Sequence, residues 1–216
     1  MTFTRPRAVL FDLDGTLTDP APGLIRCLTH AFAAVGLPIP GRTEMLAAIG
    51  PPWEDYLAAS MGVPHDLVDE VIAAYRSEYA GGGMFEADLF EGVPQLLADL
   101  VDEGFELALA TSKPLPSAEL ILDHFGLTGY FTALGGATMD GSRRHKHDVM
   151  DFALDLLGHR DAVMVGDRKY DVLGAAHHGI ACIGVTWGHA EDGEFDDHPP
   201  AAYAAHPADV LALVTR

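Results

Sequence analysis

Phe11-Asp12-Leu13-Asp14-Gly15-Thr16 is the stretch on which the fold of this chain turns. The apolar run Ala8-Val9-Leu10-Phe11 leads straight into it and reads as a buried strand of a parallel sheet. Gly15 lets the backbone turn sharply after that strand. Asp12 and Asp14 are thereby carried at the carboxyl end of a strand, where open α/β sheets bind their ligands. Spaced two apart on an extended chain, they face the same side. Crowded carboxylates are costly unless something uses them. A divalent cation, a shared proton, or a nucleophile with its acid/base partner would each be a use. The plainer alternative is a strand-end turn with solvated acids.

The 216 residues suffice for one large domain, or for a core with a smaller insertion, and 49% hydrophobic residues can bury a sizeable core. A formal net charge of −19 argues against nucleic acid or an anionic membrane as partner. It would also repel an anionic substrate at long range, so such a substrate needs a local positive centre, a metal or a lysine. Cys27 and Cys182 fall in different expected elements with nothing to suggest pairing, which fits a reducing cytoplasm. Met1-Thr2-Phe3-Thr4-Arg5 does not read as a signal peptide, and no apolar run reaches membrane-spanning length.

After Thr16, the segment Leu17-Thr18-Asp19-Pro20 reads as a turn and hinge. A helix follows, with Leu24, Leu28, Ala31, Phe32 and Val35 at helical spacing, and ends at Gly36-Leu37-Pro38. Short helices are expected near 44–49, 53–61 and 67–79, and Gly81-Gly82-Gly83 stops the last. No strand is expected between 18 and 89, so this insert should form a separate, all-helical cap over residues 18–89, the core being residues 1–17 and 90–216. In the core, Gly92-Val93-Pro94 opens a helix, and Leu107-Ala108-Leu109-Ala110 reads as a strand ending in Thr111-Ser112-Lys113-Pro114. A helix over 118–124, a strand over 131–134 and an amphipathic helix through Val149, Phe152, Ala153 and Leu156 come next. Ala162-Val163-Met164-Val165 is a strand that runs into Gly166-Asp167-Arg168-Lys169-Tyr170-Asp171; a strand over 180–185 and a helix over 208–214 close the chain. Alternating strands and helices imply an α/β fold with a parallel sheet and right-handed crossovers. Adjacent strands lie about 4.8 Å apart, so the ends at Asp12, Thr111 and Asp167 could share one site.

Four ordered motifs resemble those of the haloacid dehalogenase superfamily, on its phosphatase side and similar to phosphoglycolate phosphatases: Asp12-Leu13-Asp14-Gly15-Thr16, Thr111-Ser112, Lys146, and Gly166 to Asp171. The resemblance runs from about residue 8 to 188. It implies a Rossmann-like three-layer core with a helical cap, and a magnesium-dependent phosphatase of small phosphorylated metabolites. By the same resemblance Asp12, the backbone carbonyl of Asp14 and Asp167 would ligate Mg²⁺, which favours oxygen ligands. Asp12 would attack phosphorus to give an aspartyl-phosphate, with Asp14 as general acid and base. Thr111 would donate its hydroxyl to a phosphoryl oxygen, and Lys146 would set a fixed charge beside Asp12. Asp171 would support metal or lysine from behind the ligands, or simply cap a helix N-terminus. Lys146 could otherwise be a solvated loop lysine. Gly15, Thr16, Ser112 and Lys113 are expected to touch substrate, Lys113 from the rim; Ser112 departs from the asparagine common in close relatives.

The cap should close over the site and choose the substrate. Thr18-Asp19-Pro20 and Leu89-Phe90-Glu91-Gly92 are the expected hinges. Ile49-Gly50-Pro51-Pro52-Trp53 is the expected substrate loop, with Gly50 and Trp53 as contacts, and Met84-Phe85-Glu86 a border of the entrance; for Trp53 and Phe85 the alternative is packing within the cap. Residues 18–89 contain no lysine, which excludes the Schiff-base phosphonate hydrolases of the superfamily. Pro51-Pro52-Trp53 offers no arginine as a second phosphate clamp, which makes a sugar phosphomutase a minor alternative. Halide displacement needs neither the acid at Asp14 nor a magnesium site. A non-catalytic regulatory protein of the same fold is the rival from another class, and a phosphotransferase using the same covalent intermediate is a second. The eleven histidines show no coherent ligand set. Partners are expected to be limited to a small phosphorylated metabolite, in a monomer or homodimer.

Overall fold

A computed structural model describes residues 5–50 and 53–215. The chain forms two compact units. The first holds the chain up to Thr18 and again from Leu89, the second Asp19–Asp88. Strand β1 (Ala8–Phe11) opens the first unit with four fully apolar, buried residues. Strand β2 (Thr18–Asp19) crosses into the second.

The second unit is built from α1 (Ala21–Ala34), α2 (Arg42–Ala47), α3 (Trp53–Ala59) and α4 (Val68–Ala80). The expected 3.6-residue spacing puts Leu24, Leu28, Ala31 and Phe32 of α1 in the unit's core with Val71, Ile72 and Tyr75 of α4. Arg26 on α1 pairs with both Glu78 and Glu86 across this unit. The chain returns through β3 (Asp88–Leu89), which pairs with β2. An all-helical insert was the expectation here; β2 and β3 correct it, and at two residues each they are too short to carry a period-two pattern.

The first unit resumes with α5 (Val93–Asp102), β4 (Glu106–Pro114), α6 (Leu115–His124), β5 (Ala133–Ala137), α7 (Lys146–Leu157), β6 (Ala162–Gly166), α8 (Lys169–His177), β7 (Ala181–Val185), β8 (Ala202–Ala204) and α9 (Pro207–Val214). Its six strands lie in the order β5-β4-β1-β6-β7-β8, every neighbouring pair parallel. Helices α7 and α8 cover one face, where Ala8 and Leu10 meet Met150, Ala153, Leu154 and Val172. The chain leaves β1 toward β4 and β5, then restarts on the other side of β1 with β6. That reversal leaves a crevice at the carboxyl end of β1. Among the described residues no helix is long and apolar enough to cross a membrane.

Some elements differ from expectation. The strand expected over 131–134 begins at Ala133, because Thr128–Tyr130 forms a 3₁₀ turn that takes up the Phe131 N–H. Strand β4 runs on to Pro114 through a register shift against β5 between Thr111 and Pro114, where the sequence suggested an end at Ala110. Strand β8, three residues at the sheet edge, was not anticipated at all.

Leu10 is fully buried on the central strand, in register with Ala108 of β4 and Met164 of β6. Leu10→Ala should lower the unfolding free energy by about 2–5 kcal/mol in urea titrations.

Candidate active site

Asp12 follows the last residue of β1, Thr111 and Lys113 sit on the irregular end of β4, and Asp167 follows β6. The parallel sheet delivers all of them to the same edge. Lys146 is the first residue of α7, and Asp171 lies in the first turn of α8.

Lys146 is buried, and its ammonium is fully engaged. Nζ lies 3.0 Å from Asp12 Oδ1 and 2.7 Å from Asp171 Oδ1, and donates to the carbonyl of Ala110 at 3.0 Å. It is therefore not a solvated loop lysine. Burial alone would depress its pKa, but Asp12 and Asp171 outweigh this and hold it above the ordinary lysine value. Asp171 contacts both Lys146 and the start of α8. Oδ1 meets Lys146, while Oδ2 accepts the Arg168 N–H at 3.0 Å and caps α8. Gly166 makes room for it, since a Cβ there would lie 2.2 Å from Asp171 Cγ.

Asp12 Oδ1 also accepts the N–H of Leu13 at 2.8 Å. Asp167 is held by the His189 N–H on Oδ2 (2.8 Å) and by the Thr16 hydroxyl on Oδ1 (3.3 Å). Thr16, expected to touch substrate, thus has its hydroxyl on Asp167. Gly15 has φ +86°, and a Cβ there would meet Asp167 Oδ2 at 2.1 Å. Gly188 fits as tightly: its Cβ would lie 2.3 Å from the Gly15 carbonyl and 2.4 Å from Asp167 Cβ. Trp187 donates its indole N–H to the Thr16 carbonyl at 3.1 Å. Trp187, Gly188 and His189 were missed in the sequence. The available signal was their place just past the end of an apolar strand, 181–185, at the same edge of the sheet.

Lys113 requires a correction. It is not a rim residue: its Nζ lies 2.8 Å from Asp14 Oδ2, with only 10% of the lysine side chain exposed. Its backbone N–H bonds Thr111 Oγ1 at 3.2 Å, a contact that leaves the threonine's own proton for another acceptor. Ser112 between them is half-buried. Burial raises the pKa of Asp14 and Asp12 adds to the effect, while Lys113 opposes it; the net shift is upward. Gly50 lies in the second unit with φ +108°. Trp53 starts α3 there; its side chain, like Pro51 and Pro52, lies outside the described residues. In that unit Met84 is buried and Phe85 is 38% exposed.

Among the described residues, Asp12, Asp167 and Asp171 are the one group of three acids, histidines or cysteines whose ligand atoms all lie within 4.8 Å of one another. Asp14 is not part of it by its side chain, which turns to Lys113. His145 stacks on His147, and His147 meets His177 of α8 at a tilt, without joining such a group. The cluster suits a hard divalent cation. All its donors are carboxylate oxygens. Four acids, Asp12, Asp14, Asp167 and Asp171, face two lysines, so fully ionised they would outnumber the positive charges by two. Asp167 accordingly sits well above the usual carboxylate range, first from burial, then from the charges of Asp171 and Asp12.

A family model described as haloacid dehalogenase-like hydrolase matches residues 9–185. The chain belongs to that family. It is 42% identical to tyrosine-protein kinase PtkA of Mycobacterium tuberculosis, over 96% of this chain and 71% of that protein. It is 38% identical to a 5'-nucleotidase of Pseudomonas aeruginosa (95% and 92%) and 32% to a phosphoglycolate phosphatase of Yersinia pestis (98% and 94%). A haloacid dehalogenase-like family hydrolase from Streptococcus pneumoniae, 31% identical, superposes with a TM-score of 0.90 over 97% of this chain and 99% of its own. Membership in the haloacid dehalogenase-like family fits the carboxylates and lysine gathered at the end of β1.

The raised Asp167 has a consequence for stability. A carboxyl whose pKa is higher in the folded than in the unfolded chain favours folding below its unfolded value, and that contribution is lost as pH rises through the folded value. Asp167→Asn removes this dependence. In EDTA, the melting temperature of the variant relative to the wild type should therefore climb between pH 4 and pH 8. A gap that stays constant with pH would show that Asp167 does not titrate in this way.

Proposed function

We propose that the chain is a Mg²⁺-dependent phosphomonoesterase of small phosphorylated metabolites that works through an aspartyl-phosphate on Asp12. The observation that carries the reading is Lys146, buried between Asp12 and Asp171, in a chain of net charge −19. Mg²⁺ would be held by Asp12 and Asp167 with the carbonyl of Asp14, and would neutralise charge on a phosphate monoester dianion.

The chain's own groups account for the rest. With Oδ1 of Asp12 oriented by Lys146 and the Leu13 N–H, Oδ2 is the oxygen we assign to attack. The Asp12 O–P bond forms as the ester P–O bond breaks. Asp14, its pKa raised by burial, gives its proton to the leaving alkoxide. It then takes a proton from the water that attacks the aspartyl-phosphate, and this frees phosphate and restores Asp12. Thr111 donates to a phosphoryl oxygen, and Gly15, Thr16 and Ser112 line the phosphate's approach. The unit formed by Asp19–Asp88 would choose the substrate, with Gly50 and Trp53 as contacts. Phosphoglycolate is the first candidate; 5'-nucleotides compete with it, because the relative named 5'-nucleotidase is the more similar of the two. The buried, unpaired Cys27 and Cys182 suit a cytoplasmic protein, monomer or homodimer.

Release of inorganic phosphate from a panel holding phosphoglycolate, 5'-nucleotides and sugar phosphates tests the reading. Activity should need Mg²⁺ and stop with EDTA. Asp12→Asn should lower kcat at least about a thousandfold in protein that keeps its fold, checked by circular dichroism. If the variant retained most of its activity, the covalent route would be wrong. The kinase relative at 42% identity favours a second reading, transfer from the same aspartyl-phosphate to a hydroxyl acceptor. Under that reading, transfer to tyrosine peptide or sugar would outpace release of free phosphate.

A further inference from the structure

We infer that Lys113 is a positioning residue for Asp14, aiming its carboxyl at the leaving group rather than gripping the substrate. The inference rests on the reading of Asp14 as the general acid. Asp14 has two unlike oxygens. Oδ2 is paired with Lys113 Nζ at 2.8 Å, while Oδ1 is buried with no hydrogen-bond partner among the described residues. Pinning one oxygen fixes the rotation of the carboxyl group, so the other points in a set direction. A buried, unpartnered carboxyl oxygen is costly and is suited to an exchangeable proton in the reaction.

The route by which Lys113 reaches Asp14 is built into the sheet. Regular pairing of β4 with β5 ends at Thr111, and the register shifts before Pro114. Such irregularities re-aim side chains beside active sites. The Lys113 N–H is tied back to Thr111 Oγ1, so the hydroxyl assigned to the phosphoryl group and the ammonium that holds the acid sit on one hydrogen-bonded stretch at the end of β4. Phosphate grip and proton donor are thereby kept in fixed register, as a near-attack geometry requires.

Substituted phenyl phosphates, from p-nitrophenyl to p-methoxyphenyl, separate aiming from gripping. They share a shape but differ in how much their leaving group needs a proton. The quantity to read is kcat/KM with Mg²⁺, which reports the first, phosphorylating step. In Lys113→Met, kcat/KM should fall roughly tenfold more for the p-methoxyphenyl than for the p-nitrophenyl ester, within the range of a general acid's contribution. Asp14→Asn should steepen the series in the same way, and the double variant should add nothing further. Lys113→Gln takes the place of the methionine variant should that one not fold. A loss by one constant factor across the series would mean that Lys113 grips phosphate or ring, and would overturn the inference while leaving the hydrolase reading intact. Further steepening in the double variant would overturn it too. If the wild type hydrolysed none of the esters, both the hydrolase reading and this inference would fall.

Discussion

The site depends on one buried cation. Lys146 opens α7, the end of a helix where a positive charge is disfavoured by the backbone dipoles, and it does so out of water. It is tolerable there only because Asp12 and Asp171 reach it from the end of β1 and the first turn of α8. The dependence runs both ways. Remove the ammonium and two buried acids face each other with Asp167 alongside; losing one partner of a buried pair typically costs about 3–5 kcal/mol. The end of β1, the start of α7 and the cap of α8 are therefore tied together by a single contact set.

Steric exclusion does what charge cannot. Asp167 is wedged between Gly15 and Gly188, at positions where any Cβ would come within 2.4 Å of its atoms. Its two oxygens are then oriented by the His189 N–H and the Thr16 hydroxyl. The acid cannot swing away from Asp171 and Asp12, so their charges add to burial in driving its pKa up. A carboxylate held in that condition is poised for a cation, because neutralising it relieves a strain that the fold itself maintains.

Much of this was legible in the residues. The strands leading to Asp12, Thr111 and Asp167 are short apolar runs followed by polar groups, and burial on both faces of the sheet explains that signature. The lysine at 146 could be placed by its order between motifs, though its burial could not, since nothing local distinguishes a helix-start lysine in solvent from one folded inward. Lys113 was placed at the rim because it lies two residues past the expected strand end at Thr111 and just before a proline, whereas β4 continues through an irregular stretch to Pro114. Trp187, Gly188 and His189 carry their function through a backbone N–H, an indole contact and an absent side chain, none of which has a residue-type signature. Strands β2, β3 and β8 are too short for periodicity to register.

The acidic chain and the anionic substrate are reconciled by where the positive charges lie. Of the chain's three lysines, at 113, 146 and 169, two are turned into the site. Exposed acids act on an approaching phosphate only within a Debye length, about 8 Å at physiological ionic strength. Buried charges are screened far less. The surface therefore slows the approach of an anion at low salt, while inside the crevice Lys146 and Lys113 offset part of the charge of the acids they are paired with. Four acids against those two lysines leave the crevice short of positive charge, and that is the place a divalent cation would take before a dianion could bind.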